Sequence, residues 1–535
     1  MLAQNNRPCD EKINTTMRCS VRRTKCAVRR TLTLNEYIAT LIDHNERIAM
    51  RIRQIWKIQN ISGEKWALLL LGILFLLTNL MSATCSPLTH DEAQTYLHGV
   101  LPGIKPLLLF TFNDSNNQVL NTGLMILSTR LFGFSEFVLR LPNILASLLY
   151  IYCTYWLSRR YQASWPAMII LNAPLPIAAY FSLARGYGIA NAFVALAILF
   201  LVRGLDNRSI CTLFFSTVAA LFAAAANFSY LVVYIVTVFV CIISIIVLYS
   251  KYDGILKNNI TYSVVAIGIH AFVGMYLLYP LVKLLKRNAF YIGGHRGFVD
   301  DTVMSLVTDL TGKYAFNILP LFLIFILSII LLICCHDALI AAKKGDFTPA
   351  TFIVVLICSS CVTVLLHRLF KVNFPTGRAA LYYYIIFAIV LLTSKHLRYV
   401  RYVIAVLLLV LFTLNYDHRG SDTRTAMRAL AADADVRGES IRLAIDWEFE
   451  PAVRYYQGRI KAPYEFEVDR TGYPNNRDYY LEHQHWYDPN HTRILRENYN
   501  YAYVHQKNVQ KLKTTYDVII LKKYHKSGNV LCRLE

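Results

Sequence analysis

WALLLLGILFLLTNLMSA at residues 66–83, followed a few residues later by THDEAQTY at 89–96, decides how the rest of the chain is read. The first stretch is apolar for long enough to cross a hydrocarbon core as a helix. The second sets Asp91 and Glu92 side by side just outside that core, where charged side chains are costly unless they have work to do. A carboxylate in that position is placed to act on a substrate whose other half is a lipid.

The composition agrees with a membrane setting. Of 535 residues, 55% are hydrophobic and only 17% charged, which is too apolar for a soluble enzyme. The formal charge of +21 is carried by short basic runs between apolar segments, the pattern of loops held at an anionic membrane surface rather than a nucleic-acid-binding patch. The 12 cysteines have no zinc spacing and imply no disulfide framework, and Cys358 and Cys361 fall within an apolar helix.

Residues 1–64 are polar and basic, without the early apolar core of a cleaved signal, and read as a cytoplasmic tail. Within them, 31–60 carry a loose helical pattern that fits an interfacial amphipathic helix or a partly disordered tail. After the first span come an extracytoplasmic loop, 84–135, and apolar segments near 136–157, 165–181, 187–204, 210–226, 229–249, 263–285, 316–334, 350–367, 380–394 and 402–415. The expectation is an α-helical polytopic membrane domain over 65–415 with about eleven transmembrane helices. With the N-terminus cytoplasmic, an odd count places 416–535 outside the membrane, where IRLAI at 441–445 and YDVIIL at 516–521 read as strands of a small extracytoplasmic α/β domain. Two basic stretches break the inside-positive bias, KLLKRNAFYIGGHRGF at 283–298 and HRLFKVNFPTGR at 367–378.

The succession of the Asp-Glu pair, a polar loop, LFGFSEFVLRLPNILASLLYIYCTYWLSRRY and SLARGYGIANAFVALAILFLVRG resembles the polytopic GT-C glycosyltransferases. Within them it is most similar to the branch holding protein O-mannosyltransferases, lipid A aminoarabinose transferases and rhizobial lipopolysaccharide transferase-like proteins. NNQVLNTGLMILSTRLFG resembles a bacterial subgroup that commonly has a His where this chain has Gln118. YIGGHRGFVDDTVMSL and FPTGRAALYYYIIF are similar to further pieces of it, and the resemblance runs over roughly 66–415.

The resemblance implies an inverting glycosyltransferase that moves a sugar from a polyprenyl-phosphate donor to an acceptor hydroxyl on a lipid, glycan or protein, at the outer face of a bacterial plasma membrane. Such a displacement needs one base for the acceptor proton and cations for the departing phosphate. Asp91 is accordingly expected as general base, matching the first-loop Asp of the family, with Glu92 beside it contacting acceptor or metal. The competing reading of the pair is the cap of an interfacial helix. Asn117 and Asn121 are expected to hydrogen-bond the sugar or else to serve as turn and cap residues. Arg185 and Tyr187, in LARGYG, and Arg378 are expected at the donor, with pairing to Asp91 or snorkelling as the alternatives for Arg185. His295 and Arg296, in GGHRG, either close over the donor or lie on a loop without a ligand. Lys283, Lys286 and Arg287 read as a helix-end anchor among headgroups. Metal dependence is left open by the sequence: a divalent ion would be held by His90, Glu92 and His295 only if the fold gathers them. A lipid-linked-sugar flippase or transporter without transferase chemistry is the alternative function, and it would tolerate loss of Asp91.

Overall fold

The computed structural model describes residues 63–161, 164–251, 260–286, 293–311, 319–415, 422–459, 466–470, 499–513, 516–525 and 527–535. The tail at 1–62, with its expected amphipathic helix, and Arg287 lie outside them. Contacts divide the chain into Met1–Trp66, described only at its last helical turn, and Ala67–Glu535, which holds everything discussed below.

The membrane part is a succession of helices: α1 Gly63–Cys85, α2 His90–Thr95, α3 Ile104–Leu108, α4 Val119–Phe132, α5 Glu136–Arg160, α6 Ser164–Asn172, α7 Leu175–Phe181, α8 Gly186–Asp206 and α9 Ile210–Ala226. It continues through α10 Leu231–Lys251, α11 Ile260–Ile269, α12 Met275–Lys286, α13 Met304–Thr311, α14 Leu319–Lys343, α15 Thr348–Phe370, α16 Tyr382–Thr393 and α17 Arg398–Asn415. Among the described residues seven helical stretches are long and apolar enough to cross a membrane, eight if α6 and α7, bent by 69°, make one broken span. The chain is therefore a multi-pass helical membrane protein. Among the described residues each of the eleven expected apolar segments contains a helix, but α9, α16 and α17 fall short of the length or apolarity of a full span, because the apolar run alone does not reveal where each helix ends.

The helix ends follow local signals. Gly133 at φ +75° closes α4, and the Ser135 hydroxyl accepts the Val138 N–H to open α5. α8 is the central helix, 72% buried against 17% for Leu319–Lys343, and its glycines are the reason it can sit there. A Cβ on Gly186 would stand 1.9 Å from the Ala226 carbonyl, and one on Gly188 would stand 2.6 Å from both Asn143 and the Tyr180 carbonyl.

Beyond the last apolar helix, α18 Thr423–Arg437 leads into β1 Ile441–Ile445, α19 Glu450–Gln457, β2 Phe466–Arg470, β3 Tyr501–His505, α20 Val509–Leu512, β4 Val518–Tyr524 and β5 Asn529–Leu534. The five-stranded sheet has the order β2-β1-β3-β5-β4, parallel from β2 to β3 and antiparallel beyond. Its apolar face shares one core with the first loop: Leu88, Ala93 and Tyr96 pack in the same cluster as Met427, Tyr455 and Tyr503. Polar pins join the same surfaces, since Tyr456 Oη accepts the Leu88 N–H at 3.0 Å and donates to Glu136 at 2.8 Å.

Candidate active site

α2 starts with a capping box. The Thr89 hydroxyl accepts the Glu92 N–H, and Glu92 Oε2 accepts the Thr89 N–H at 2.9 Å. The cap therefore belongs to Glu92, and Asp91 is left to face elsewhere.

Glu92 is fully buried and makes two 2.8 Å bonds with the guanidinium of Arg140, itself fully buried. Its Oε1 also accepts the Ala184 N–H at 2.6 Å. Arg140 spends its other donors on the carbonyls of Ala83, Ser86 and Pro87. Burial alone would raise the Glu92 pKa, but Arg140 and these donors hold it below the ordinary carboxylate value. With both oxygens so engaged, Glu92 offers nothing to an acceptor or a metal. The expected contact is corrected: Glu92 and Arg140 tie the end of α1, the start of α2, α5 and the segment entering α8 into one joint.

Asp91 emerges on the other side of that joint. Its Oδ2 lies 2.6 Å from Arg378 Nη1 and 2.9 Å from Arg185 Nη1. Burial would raise its pKa, yet the charges of Arg185 and Arg378 bring it down to about 2. The Arg185 contact is close but not aligned as a hydrogen bond, so Nε and Nη1 of this buried guanidinium have no hydrogen-bond partner among the described residues. Buried donors of that kind are costly unless a ligand satisfies them.

Both arginines line a cavity of about 520 Å³, counted with its open mouth, whose remaining wall is Ser115, Asn116, Gln118, Tyr187, Asn227, Phe228, Ser229 and Ala379. Two cations are thus set in a ring of amides, hydroxyls and an aromatic, a lining that suits a phosphorylated sugar. Asp91 is not among the lining residues, but its carboxylate touches both arginines that are.

Several expected residues are placed differently. Asn117 is buried and donates to the Phe112 carbonyl, while Asn121 donates to the Ala184 carbonyl and accepts from Asn143. Neither lines the cavity, so both expected sugar contacts become loop-holding bonds. Tyr187, Arg185 and Arg378 line the cavity. His295 and Arg296 are exposed and do not line it. Their loop is anchored, however, because Gly294 and Phe374 exchange backbone hydrogen bonds of 3.0 and 2.9 Å. The two basic stretches that break the inside-positive bias thereby meet, four residues before Arg378. Lys283 donates to the Leu109 carbonyl at 3.0 Å, pinning that corner rather than a headgroup. His90, Glu92 and His295 are not gathered: among the described residues the groups able to share a metal are His336, Asp337 and His396, and Asp446, Glu448 and His505.

The sequence reading missed Arg140, Gln118, Asp114 and the Asn227–Ser229 corner. An arginine inside the apolar helix LRLPNILA was a legible signal for the first. Gln118 accepts the Gly186 N–H at 2.5 Å, where the resembling subgroup has His. Asp114 is buried, which raises its pKa, and feels the charges of Arg185 and Asp91. Asn227 caps the turn before α10 by accepting the Ser229 N–H at 2.9 Å.

Comparison with known proteins bears on the same region. Residues 123–279 match the family model described as dolichyl-phosphate-mannose-protein mannosyltransferase, a span that includes Arg140, Asn143, Arg185, Tyr187 and Asn227 but not Asp91 or Arg378. Over that segment the chain is similar to membrane glycosyltransferases of the GT-C class. The matched segment places its likeness with the mannosyltransferase branch of that class. Among solved structures the chain is similar to ArnT from Cupriavidus metallidurans in the apo state, at 12% identity and a TM-score of 0.42 over 88% of this chain and 98% of that one. The same protein bound to undecaprenyl phosphate gives 11% identity and a TM-score of 0.34 over the same shares. At those scores the likeness carries no weight of its own. No curated protein matches the chain significantly.

Proposed function

We propose that the protein transfers a sugar from a polyprenyl-phosphate donor to an acceptor hydroxyl on a lipid, glycan or protein, with inversion, on the extracytoplasmic face of the plasma membrane. The observation that carries this is the buried, incompletely satisfied guanidinium of Arg185 beside Arg378, at the wall of a cavity lined otherwise by amides, hydroxyls, Phe228 and Ala379. The donor phosphate takes up the two arginines and the sugar lies along Gln118, Asn227 and Ser229. As the acceptor oxygen bonds to the anomeric carbon, the bond from that carbon to the phosphate oxygen breaks, and both cations stabilise the phosphate that leaves. A phosphate needs no proton to depart, so a single base suffices.

Asp91 is that base. In the free protein it is clamped and weakly basic at a pKa of about 2. A phosphate that draws Arg185 and Arg378 away removes the two charges that depress it, and its basicity rises only when the donor is in place. The C-terminal segment 416–535 is proposed as an extracytoplasmic domain docked on the first loop.

The test is turnover of a panel of polyprenyl-phosphate sugars by wild type and Asp91→Asn, with membrane extract as acceptor. Donor binding retained and transfer lost in the variant is the expected outcome. Equal transfer by both proteins would remove Asp91 as base. Movement of lipid-linked sugar across vesicles with no transfer by the wild type would replace the reading with a flippase.

A further inference from the structure

β1 has β2 on one flank and β3 on the other, all three parallel, so the winding of the sheet reverses between β1 and β3. In open sheets the connections leaving the carboxyl ends of two such strands diverge and leave a crevice, and ligands bind there. The residues at that point are IDWEF, 445–449, after β1 and HQKN, 505–508, after β3.

Their side chains converge. Asp446 is fully buried, and its Oδ2 accepts the His505 N–H at 2.8 Å and the Asn508 Nδ2 at 3.0 Å, which fixes the carboxylate in place. His505 Nε2 faces Glu448 Oε1. One donor atom each from Asp446, Glu448 and His505 lies within 4.8 Å of the others. Glu448 keeps 45% and His505 26% of its side chain exposed, so the group has a closed, rigid floor and an open mouth. Two carboxylate oxygens and one imidazole nitrogen, with one side open to water, form the donor set of a zinc-like divalent cation.

We propose that Asp446, Glu448 and His505 bind a divalent cation of the zinc class at the switch point of the C-terminal sheet. Its position couples it to the other end of the molecule, because the Glu448 carbonyl is 2.7 Å from His90 Nδ1, and His90 is the neighbour of Asp91. A bound cation holds the 446–449 turn and so braces the first turn of α2. The other His and carboxylate group is built differently: Asp337 already takes the Ser394 hydroxyl at 2.5 Å, the His396 N–H at 3.1 Å and the His396 ring, tying α14 to the turn before α17.

The proposal does not depend on the transferase reading, and its test reads metal rather than turnover. Full-length protein in detergent is stripped with EDTA, equilibrated with Zn²⁺, and its bound metal is counted by mass spectrometry beside His505→Ala, Glu448→Ala and His396→Ala. The rim position of Glu448 makes Glu448→Ala the variant that leaves the sheet core in place. Expected are one equivalent bound by wild type and by His396→Ala, its loss in the other two, and a Zn²⁺-dependent rise in melting temperature that only the binding proteins show. No binding by wild type, binding unchanged in Glu448→Ala, or loss in His396→Ala alone would overturn it.

Discussion

Replacing Glu92 with Gln separates two roles that neighbouring acids in one motif would otherwise share. The carboxylate has five hydrogen bonds, two from Arg140, one from Ala184 and two from Thr89, all in a place without solvent. An amide of the same shape turns one acceptor oxygen into a donor that must face another donor, and it leaves the Arg140 charge buried and uncompensated. Breaking a buried pair from one side costs about 3–5 kcal/mol, a large share of the roughly 5–15 kcal/mol that keeps a typical protein folded. Glu92→Gln is therefore expected to unfold at clearly lower temperature in detergent, followed by tryptophan fluorescence. Asp91→Asn, at a partly exposed site, should lose on the order of 1 kcal/mol. It should abolish transfer while remaining folded. A Glu92→Gln protein that melts with the wild type yet fails in transfer would refute the assignment and return Glu92 to the reacting groups.

Other predictions follow from the same geometry. Arg378→Lys keeps the charge but lacks the planar fork, and loss of one charge-assisted bond of about 1.5–3 kcal/mol weakens donor binding about 10- to 100-fold, read by titration with a polyprenyl-phosphate sugar. Gly186→Ala drives a methyl group into the Ala226 carbonyl at 1.9 Å and displaces α8; a loss of about 1–3 kcal/mol is expected in the melting transition. The Asp91 pKa is depressed from 3.8 to about 2, so the stability it supplies is present above pH 3.8 and is lost as pH falls through 2. The melting-temperature gap between wild type and Asp91→Asn should accordingly be constant from neutral pH down to about 4 and close below it. Tyr456→Phe removes the acceptor of the Leu88 N–H and a donor to Glu136, and about 1–2 kcal/mol of lost stability should appear in the same melts.

The sequence by itself determined the solvent and the periodic parts. Apolar runs of sufficient length must become helices in a bilayer, because no other open segment satisfies its own backbone there. Among the described residues every one of the eleven runs holds a helix. Ser135 and Thr89 announce their helix starts, and IRLAI reads as a strand because it is one. Arg185 and Arg378 stand out in the sequence as cations beside apolar segments, and only the fold brings them with Tyr187 to one cavity. What tertiary structure alone decided is which partner each acid receives. Asp91 and Glu92 are adjacent on a helix, so their directions differ by about 100°. One turns to Arg140, 48 residues on, and the other to Arg378, 287 residues on. No local rule encodes which of those partners arrives, for it depends on how α5 and the turn ahead of α16 pack against α2. The same holds for Asp446, Glu448 and His505: each is an ordinary polar residue in its own segment, and only the order in which the parallel strands are laid down brings the three together.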